Sequence, residues 1–284
     1  MAGSTRRTRL TPPRWWDEAL NWVERRRERL AGSPTERLDL AESRLARSLE
    51  KQGPGSWRTL NAMEAVAKYR EALDRFTDAL PLRRQVMEGR RQELGPDHEL
   101  TLAAEARLAV TLIELKRADQ AKPLLVHVLD GLARIHGPED PTVLVVTERL
   151  ADAELALEES EDARRLLRQV MDRYDDRGDE VLGSGVAITL AKSLIGDGRY
   201  AEASEFLRRA VEVRGRRLGP DDPETLAALR NLASALVWSK EYAEASIVAR
   251  NVLAATIRTH GPDDVKTVDA ERLVRDIDNR LGEW

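Results

Sequence analysis

The chain holds four histidines, His98, His127, His136 and His260, and no cysteine. Without a thiol there is no cysteine nucleophile, no thiolate zinc site and no disulfide. A helical histidine pair that grips a metal needs i, i+4 spacing, and no two of the four stand so. The carboxylates Asp172, Asp175, Asp176, Asp179 and Glu180 crowd together as those of a calcium loop would. They lack the alternating Asp-x-Asp-x-Asp-Gly order that wraps a chain around the ion. The "GSG" at 183–185 has neither a strand before it nor a phosphate-binding lysine after it. Other carboxylate pairs abound, and none is set apart as a general acid and base. The expectation is a protein that is not an enzyme and uses no cofactor and no metal.

What recurs instead is punctuation. "LGPDHELTLAAEARLAVTL", "HGPEDPTVLVVTERLADAEL", "LGPDDPETLAALRNLASAL" and "HGPDDVKTVDAERLV" begin at Leu94, His136, Leu218 and His260. The loop glycines Gly53, Gly95, Gly137, Gly178, Gly219 and Gly261 are 42, 42, 41, 41 and 42 residues apart. A second marker, Ala79, Ala121, Ala163, Ala203 and Ala245, recurs at 42, 42, 40 and 42. One period in two markers predicts a stacked array, because a unit of that length cannot bury its apolar face alone. Each unit carries two helical faces. Leu226, Leu229, Leu232, Ala233 and Leu236 share the first; Tyr242, Ala245, Val248, Ala249 and Val252 share the second, after a break at "WSKE". "GPDD" separates the pairs: glycine turns the chain past a helix end, proline prevents continuation, and aspartate offers an oxygen to the next helix's free N–H groups. Small residues at the crossings let the backbones approach to about 8–10 Å.

Within the units, Leu-Ala pairs mark the first helix: Leu108-Ala109, Leu150-Ala151, Leu190-Ala191 and Leu232-Ala233, with Val66-Ala67 as a variant. Aromatic-x-x-Ala opens the second: Phe76 with Ala79, Tyr200 with Ala203, Tyr242 with Ala245. These residues resemble tetratricopeptide repeats, and "ALPLRRQVMEGRRQELGPDHELT" at 79–101 is similar to the long repeats of kinesin light chains. The resemblance runs over 53–281 and implies an all-α fold, an α-solenoid in which antiparallel hairpins build a right-handed superhelix. Ala118 and Ser160 replace the aromatic, and the fourth unit, "RGDEVLGSGVAITL", lacks the proline, so it is expected to pack differently. Five repeats then occupy 53–260. Residues 1–13 read as a flexible basic N-terminus, 14–52 as a capping helix pair and 261–284 as a capping helix. In the N-terminal cap, Trp16, Ala19, Leu20 and Val23 share one face and Leu38, Ala41, Leu45 and Leu49 another. Trp15, Trp16 and Trp22 read as cap core, with an N-terminal interface as the sharper alternative, since tryptophan is a frequent interface anchor.

In repeats of this resemblance the first helices line the concave side, where peptides bind. Asn61, Lys68, Arg107, Arg149, Lys192, Asn231, Ser234 and Trp238 fall on that side, the cations forming a belt with Asp152 opposing. The resemblance implies that Asn231 holds a peptide backbone. The expected partner is a protein or peptide, acidic or carboxylate-terminated, gripped through bidentate arginine contacts.

The expected function is a protein-interaction scaffold or adaptor. The alternatives are a peptide-responsive regulator of an effector and a subunit that self-assembles through its ends. A net charge of −4 argues against nucleic acid as partner. No apolar run reaches the roughly 20 residues of a bilayer span, and the start does not read as a secretory signal. With no cysteine, the reading is cytoplasmic. Of 46 basic residues only seven are lysine, a bias that points to a GC-rich bacterial genome.

Overall fold

A computed structural model describes residues 33–282. The basic segment 1–13, expected to be flexible, and the tryptophan-rich segment 14–32 with Trp15, Trp16 and Trp22 lie outside the described residues. Among those described there are twelve α-helices and no strand. They fall into two compact units, one ending at Glu159 and the other starting at Ser160. The first holds α1 (Pro34–Gln52), α2 (Trp57–Ala72), α3 (Phe76–Leu94), α4 (Glu99–Glu114), α5 (Ala118–His136) and α6 (Pro141–Ala156). The second holds α7 (Ser160–Arg177), α8 (Glu180–Gly196), α9 (Tyr200–Arg217), α10 (Pro223–Trp238), α11 (Tyr242–His260) and α12 (Val265–Gly282). Within each unit every helix packs on the next one in the chain, and in the first unit α4 also touches α6.

The repeated loop works as its residue types dictate. Gly95, Gly137, Gly219 and Gly261 take φ of 91°, 89°, 102° and 90°, a region in which a Cβ would be strained. The fourth residue of each loop caps the next helix: the Oδ1 atoms of Asp140, Asp222 and Asp264 each accept a backbone N–H at 2.8 Å. His98 does the same through Nδ1 at 3.1 Å. The third residue has a separate role that the sequence did not disclose. Asp97 takes Arg134 at 2.8 Å and Asp221 takes Arg258 at 2.5 Å, tying the loop back to the last turn of the second helix of its own hairpin. At the fourth junction Asp179 accepts from Arg177 Nε at 3.2 Å and caps nothing, so the unit without proline does differ at its entry.

The turn inside each hairpin is also periodic. Asp74, Lys116, Gly198 and Lys240 have φ of 60°, 59°, 74° and 66°, one left-handed residue per hairpin, and Glu158, between α6 and α7, has φ of 64°. Beneath the turns, the small residues of the pattern are sealed. Ala79, Ala121, Ala163, Ala203 and Ala245 are all 0% exposed, as are Ala67, Ala109, Ala151, Ala191 and Ala233 of the Leu-Ala pairs.

A closer approach occurs at Gly131 on α5. A Cβ there would lie 2.6 Å from Cδ1 of Leu102 on α4, and one at Gly89 on α3 would lie 2.8 Å from Leu60 on α2. Gly131→Val is therefore expected to overpack the α4–α5 contact and cost about 1–3 kcal/mol in chemical denaturation. An unchanged midpoint would mean that Leu102 does not seat on this glycine.

The two ends differ from the middle. Ser33 and Glu36 form a reciprocal capping box on α1, whose Leu38 and Ala41 are buried. Leu45 packs partly against the same cluster, whereas Leu49 is 40% exposed and leaves the expected face. On α12, Glu271 and Arg275 stand 42 residues after Leu229 and Ala233 of α10 and are exposed, giving the last helix a charged outer side.

Candidate functional site

In the first unit the expected binding residues sit on α2, α4 and α6. Asn61, Glu64 and Lys68 follow one another at i, i+3 and i+7 on α2 and so share one side of that helix. Asn61 is exposed, and its Oδ1 accepts from Arg90 Nη2 at 3.3 Å. Lys68 is half-buried, with no hydrogen bond or ion pair to another described residue. Arg107 on α4 leaves 13% of its side chain exposed and pairs with Glu64. Arg149 on α6 leaves 15% exposed and pairs with Asp152 at 2.8 Å. The two arginines of the expected belt are thus already engaged inside the protein.

Behind Asn61 and Glu64 lies a cluster that reading along the chain missed. On α3, Arg83 and Arg90 are 6% and 4% exposed by side chain. Arg83 grips Glu71 with two bonds, Nε at 2.9 Å and Nη2 at 2.5 Å, and Thr111 Oγ1 donates to the same carboxylate at 2.6 Å. Arg90 pairs with Glu64, donates to Leu100 O at 3.3 Å and lies 5.6 Å from the centre of the Trp57 ring. Its guanidinium is pushed down to about 10, first by burial and then by the neighbouring Arg83 charge. A sequence signal exists. Glu64 and Glu71 are seven apart on α2 and Arg83 and Arg90 seven apart on α3, so an antiparallel hairpin matches the outer with the outer and the inner with the inner.

In the second unit the expected residues sit on α8 and α10. Lys192 is exposed and has no partner among the described residues. Asn231, Ser234 and Trp238 share a face at i, i+3 and i+7. Asn231 is half-buried and its amide makes no hydrogen bond to a described residue, while Ser234 Oγ donates back to Arg230 O at 3.0 Å. Trp238 is 59% exposed even though its ring stacks on Tyr200, with centroids 5.7 Å apart and planes 19° from parallel.

The histidines have structural partners. His98 caps α4; His127 Nδ1 meets the fully buried Glu105 at 2.6 Å; His136 meets Glu99 at 3.1 Å; His260 contacts Thr259 at 2.6 Å and Lys266 at 3.0 Å. Among the described residues no group of three or more His, Asp and Glu side chains is placed to hold a metal ion. No helix of the described residues is long and apolar enough to cross a membrane.

The profile of the family described as Tetratricopeptide repeat matches residues 58–131, 102–176 and 185–256. Comparison with curated protein sequences gives no match. Solved structures share the fold. The nearly identical TPR-like repeats of a Podosopora anserina protein of kinesin light chain type superpose with a TM-score of 0.63 at 24% identity, over 74% of this chain and 99% of that one. BtubC (BKLC) from P. vanneervenii superposes with a TM-score of 0.65 at 18% identity, over 81% and 93%. A signal transduction ATPase with a tetratricopeptide repeat sensor, from Pyrococcus horikoshii, gives 0.63 at 15% identity, over 95% of this chain and 41% of that one. The matched segments cover most of the sequence and coincide with the hairpins described above. The chain belongs to the tetratricopeptide repeat family, whose members generally serve as protein-interaction scaffolds, and its fold is an all-α solenoid of helix hairpins.

Proposed function

We propose that the protein is a non-enzymatic scaffold in the cytoplasm that binds a carboxylate-bearing peptide, or a partner segment of that kind, on the open faces of the first helices within each unit. The observation that carries this reading is the set of open side chains on those faces. Among the described residues Lys68 and Lys192 are cations with no counter-ion and Asn231 is an amide with no hydrogen bond, and Trp238 is an aromatic surface more than half open. Cations recognise carboxylates, an asparagine amide can both donate to and accept from a peptide backbone, and a rigid aromatic supplies contact area at low entropic cost.

The test follows from which cations are open. Reversing Arg107 or Arg149 would place a carboxylate against Glu64 or Asp152 and disturb the fold, so the lysines are the better targets. Lys68→Glu with Lys192→Glu is expected to weaken capture of acidic peptides from a random-sequence library by about tenfold at low salt. The difference should shrink as salt screens exposed charge. Equal capture by wild type and double variant at low salt would contradict the reading.

A regulatory version rests on the Pyrococcus horikoshii neighbour, whose repeats are named a sensor. A peptide that binds and also shifts the small-angle scattering profile would favour it over a constitutive scaffold.

A further inference from the structure

The cluster behind α2 brings several guanidiniums onto few carboxylates. Three guanidiniums, those of Arg83, Arg90 and Arg107, converge on two carboxylates, Glu64 and Glu71. Arg83 already holds Glu71 with both bonds of its fork. Glu64 is therefore shared: Oε1 faces Arg107, Oε2 faces Arg90, and Arg83 Nη1 stands 4.0 Å from Oε1, outside hydrogen-bond range. Arg83 Nη1 and Arg90 Nε remain buried without a hydrogen bond. A guanidinium presents its donors as a planar fork that fits a carboxylate, and buried donors left unmatched are costly.

The arrangement also has an open side. Glu64 retains 18% of its side-chain exposure and Arg107 13%, while the exposed Asn61 and Lys68, unpaired among the described residues, flank Glu64 on α2.

We propose that Glu64 occupies from within the chain a guanidinium socket that also accepts the carboxylate of a bound peptide, so that Glu64 competes with the ligand and sets its affinity. This deepens the proposed peptide-binding function and rests on it for the identity of the natural ligand. The socket itself needs only carboxylate chemistry. An arriving carboxylate meets Asn61 and Lys68 first. As Glu64 turns outward, it takes over the forks of Arg90 and Arg107 and brings an acceptor toward Arg83 Nη1. The exchange keeps the charge of the cluster constant and adds the cation of Lys68 as a further contact.

The test uses the full chain and a probe smaller than any peptide. Glu64→Ala and Glu64→Gln are melted in sodium acetate and in sodium chloride at equal ionic strength. In chloride, Glu64→Ala is expected to melt on the order of 10 °C below wild type, because buried guanidiniums have lost their counter-charge. Acetate should recover a large part of that loss in Glu64→Ala and leave wild type almost unmoved, since its socket is filled. Adding Arg107→Gln to Glu64→Ala should abolish the recovery. Equal responses to acetate and chloride, or recovery that survives Arg107→Gln, would overturn the proposal. Should Glu64→Ala not fold in either salt, Glu64→Gln carries the same readout, and its indifference to acetate counts equally against the socket. Acetate recovery without peptide capture would keep the socket and remove the groove reading. Peptide capture without acetate recovery would do the reverse.

Discussion

Glu71→Ala is expected to destabilise the first unit by about 3–5 kcal/mol, the cost of leaving a buried charge without its partner. Arg83 is 6% exposed by side chain and has both arms of its fork on Glu71. Removing the carboxylate strips those bonds, orphans the Thr111 hydroxyl's second contact across to α4, and leaves Arg83 beside Arg90 with only Glu64 near. The pair itself is not expected to be worth that much. Desolvating two ions cancels most of their attraction, so replacing both by apolar side chains of similar volume should be nearly neutral. Glu71→Leu combined with Arg83→Met should therefore recover most of what Glu71→Ala loses, measured by urea denaturation of the single and double variants. A double variant as unstable as the single one would mean that the cluster supplies stability in its own right. Destabilisation of Glu71→Ala below about 1 kcal/mol would mean that water reaches Arg83.

The architecture was legible because its signals are local and repeated. A glycine recurs every 41 or 42 residues, at four of six places followed by proline and an acid that prescribe a stop and a cap, and the alanines sealed at the crossings recur at nearly the same interval. The turns inside the hairpins were visible only as a break. Asp74, Lys116, Glu158 and Lys240 adopt positive φ with ordinary side chains, so only Gly198 advertises the conformation in its residue type. The proposed binding face could be named from the sequence as a set of positions but not as a state of charge. Arg107, Arg149, Lys68 and Lys192 look alike along the chain. Whether each is open depends on which acid the neighbouring turn or helix brings up. Glu64 reaches Arg107 from another helix and Asp152 reaches Arg149 from the next turn, while no described acid pairs with the lysines. Asp152 was visible from its i+3 spacing, and Glu64 carries a signal in its seven-residue spacing from Glu71, which matches that of Arg83 and Arg90.

Trp238→Ala is expected to lower partner affinity by about thirtyfold or more, the roughly 2 kcal/mol that marks a binding hot spot, while changing the melting temperature little. The two halves of that expectation have separate grounds. The ring is 59% exposed, and its internal contact is the stack on Tyr200 at 5.7 Å, an aromatic pairing worth about 0.5–1.5 kcal/mol. Losing it leaves the sealed seam of α10, Leu232, Ala233 and Leu236, untouched. The same stack is what suits Trp238 to binding. Held against Tyr200, the indole loses little rotational freedom when a partner covers its open face, so more of the contact energy appears as affinity. Asn231 and Ser234 lie on the same side of α10, and an indole with polar neighbours is the kind of anchor that fixes an extended peptide in place. Calorimetric titration of wild type and Trp238→Ala with a captured peptide separates the outcomes. A large affinity loss with an unchanged melt supports a binding surface on α10. Unchanged affinity with a lowered melt would make the Tyr200 stack a purely structural contact and move the partner to another face.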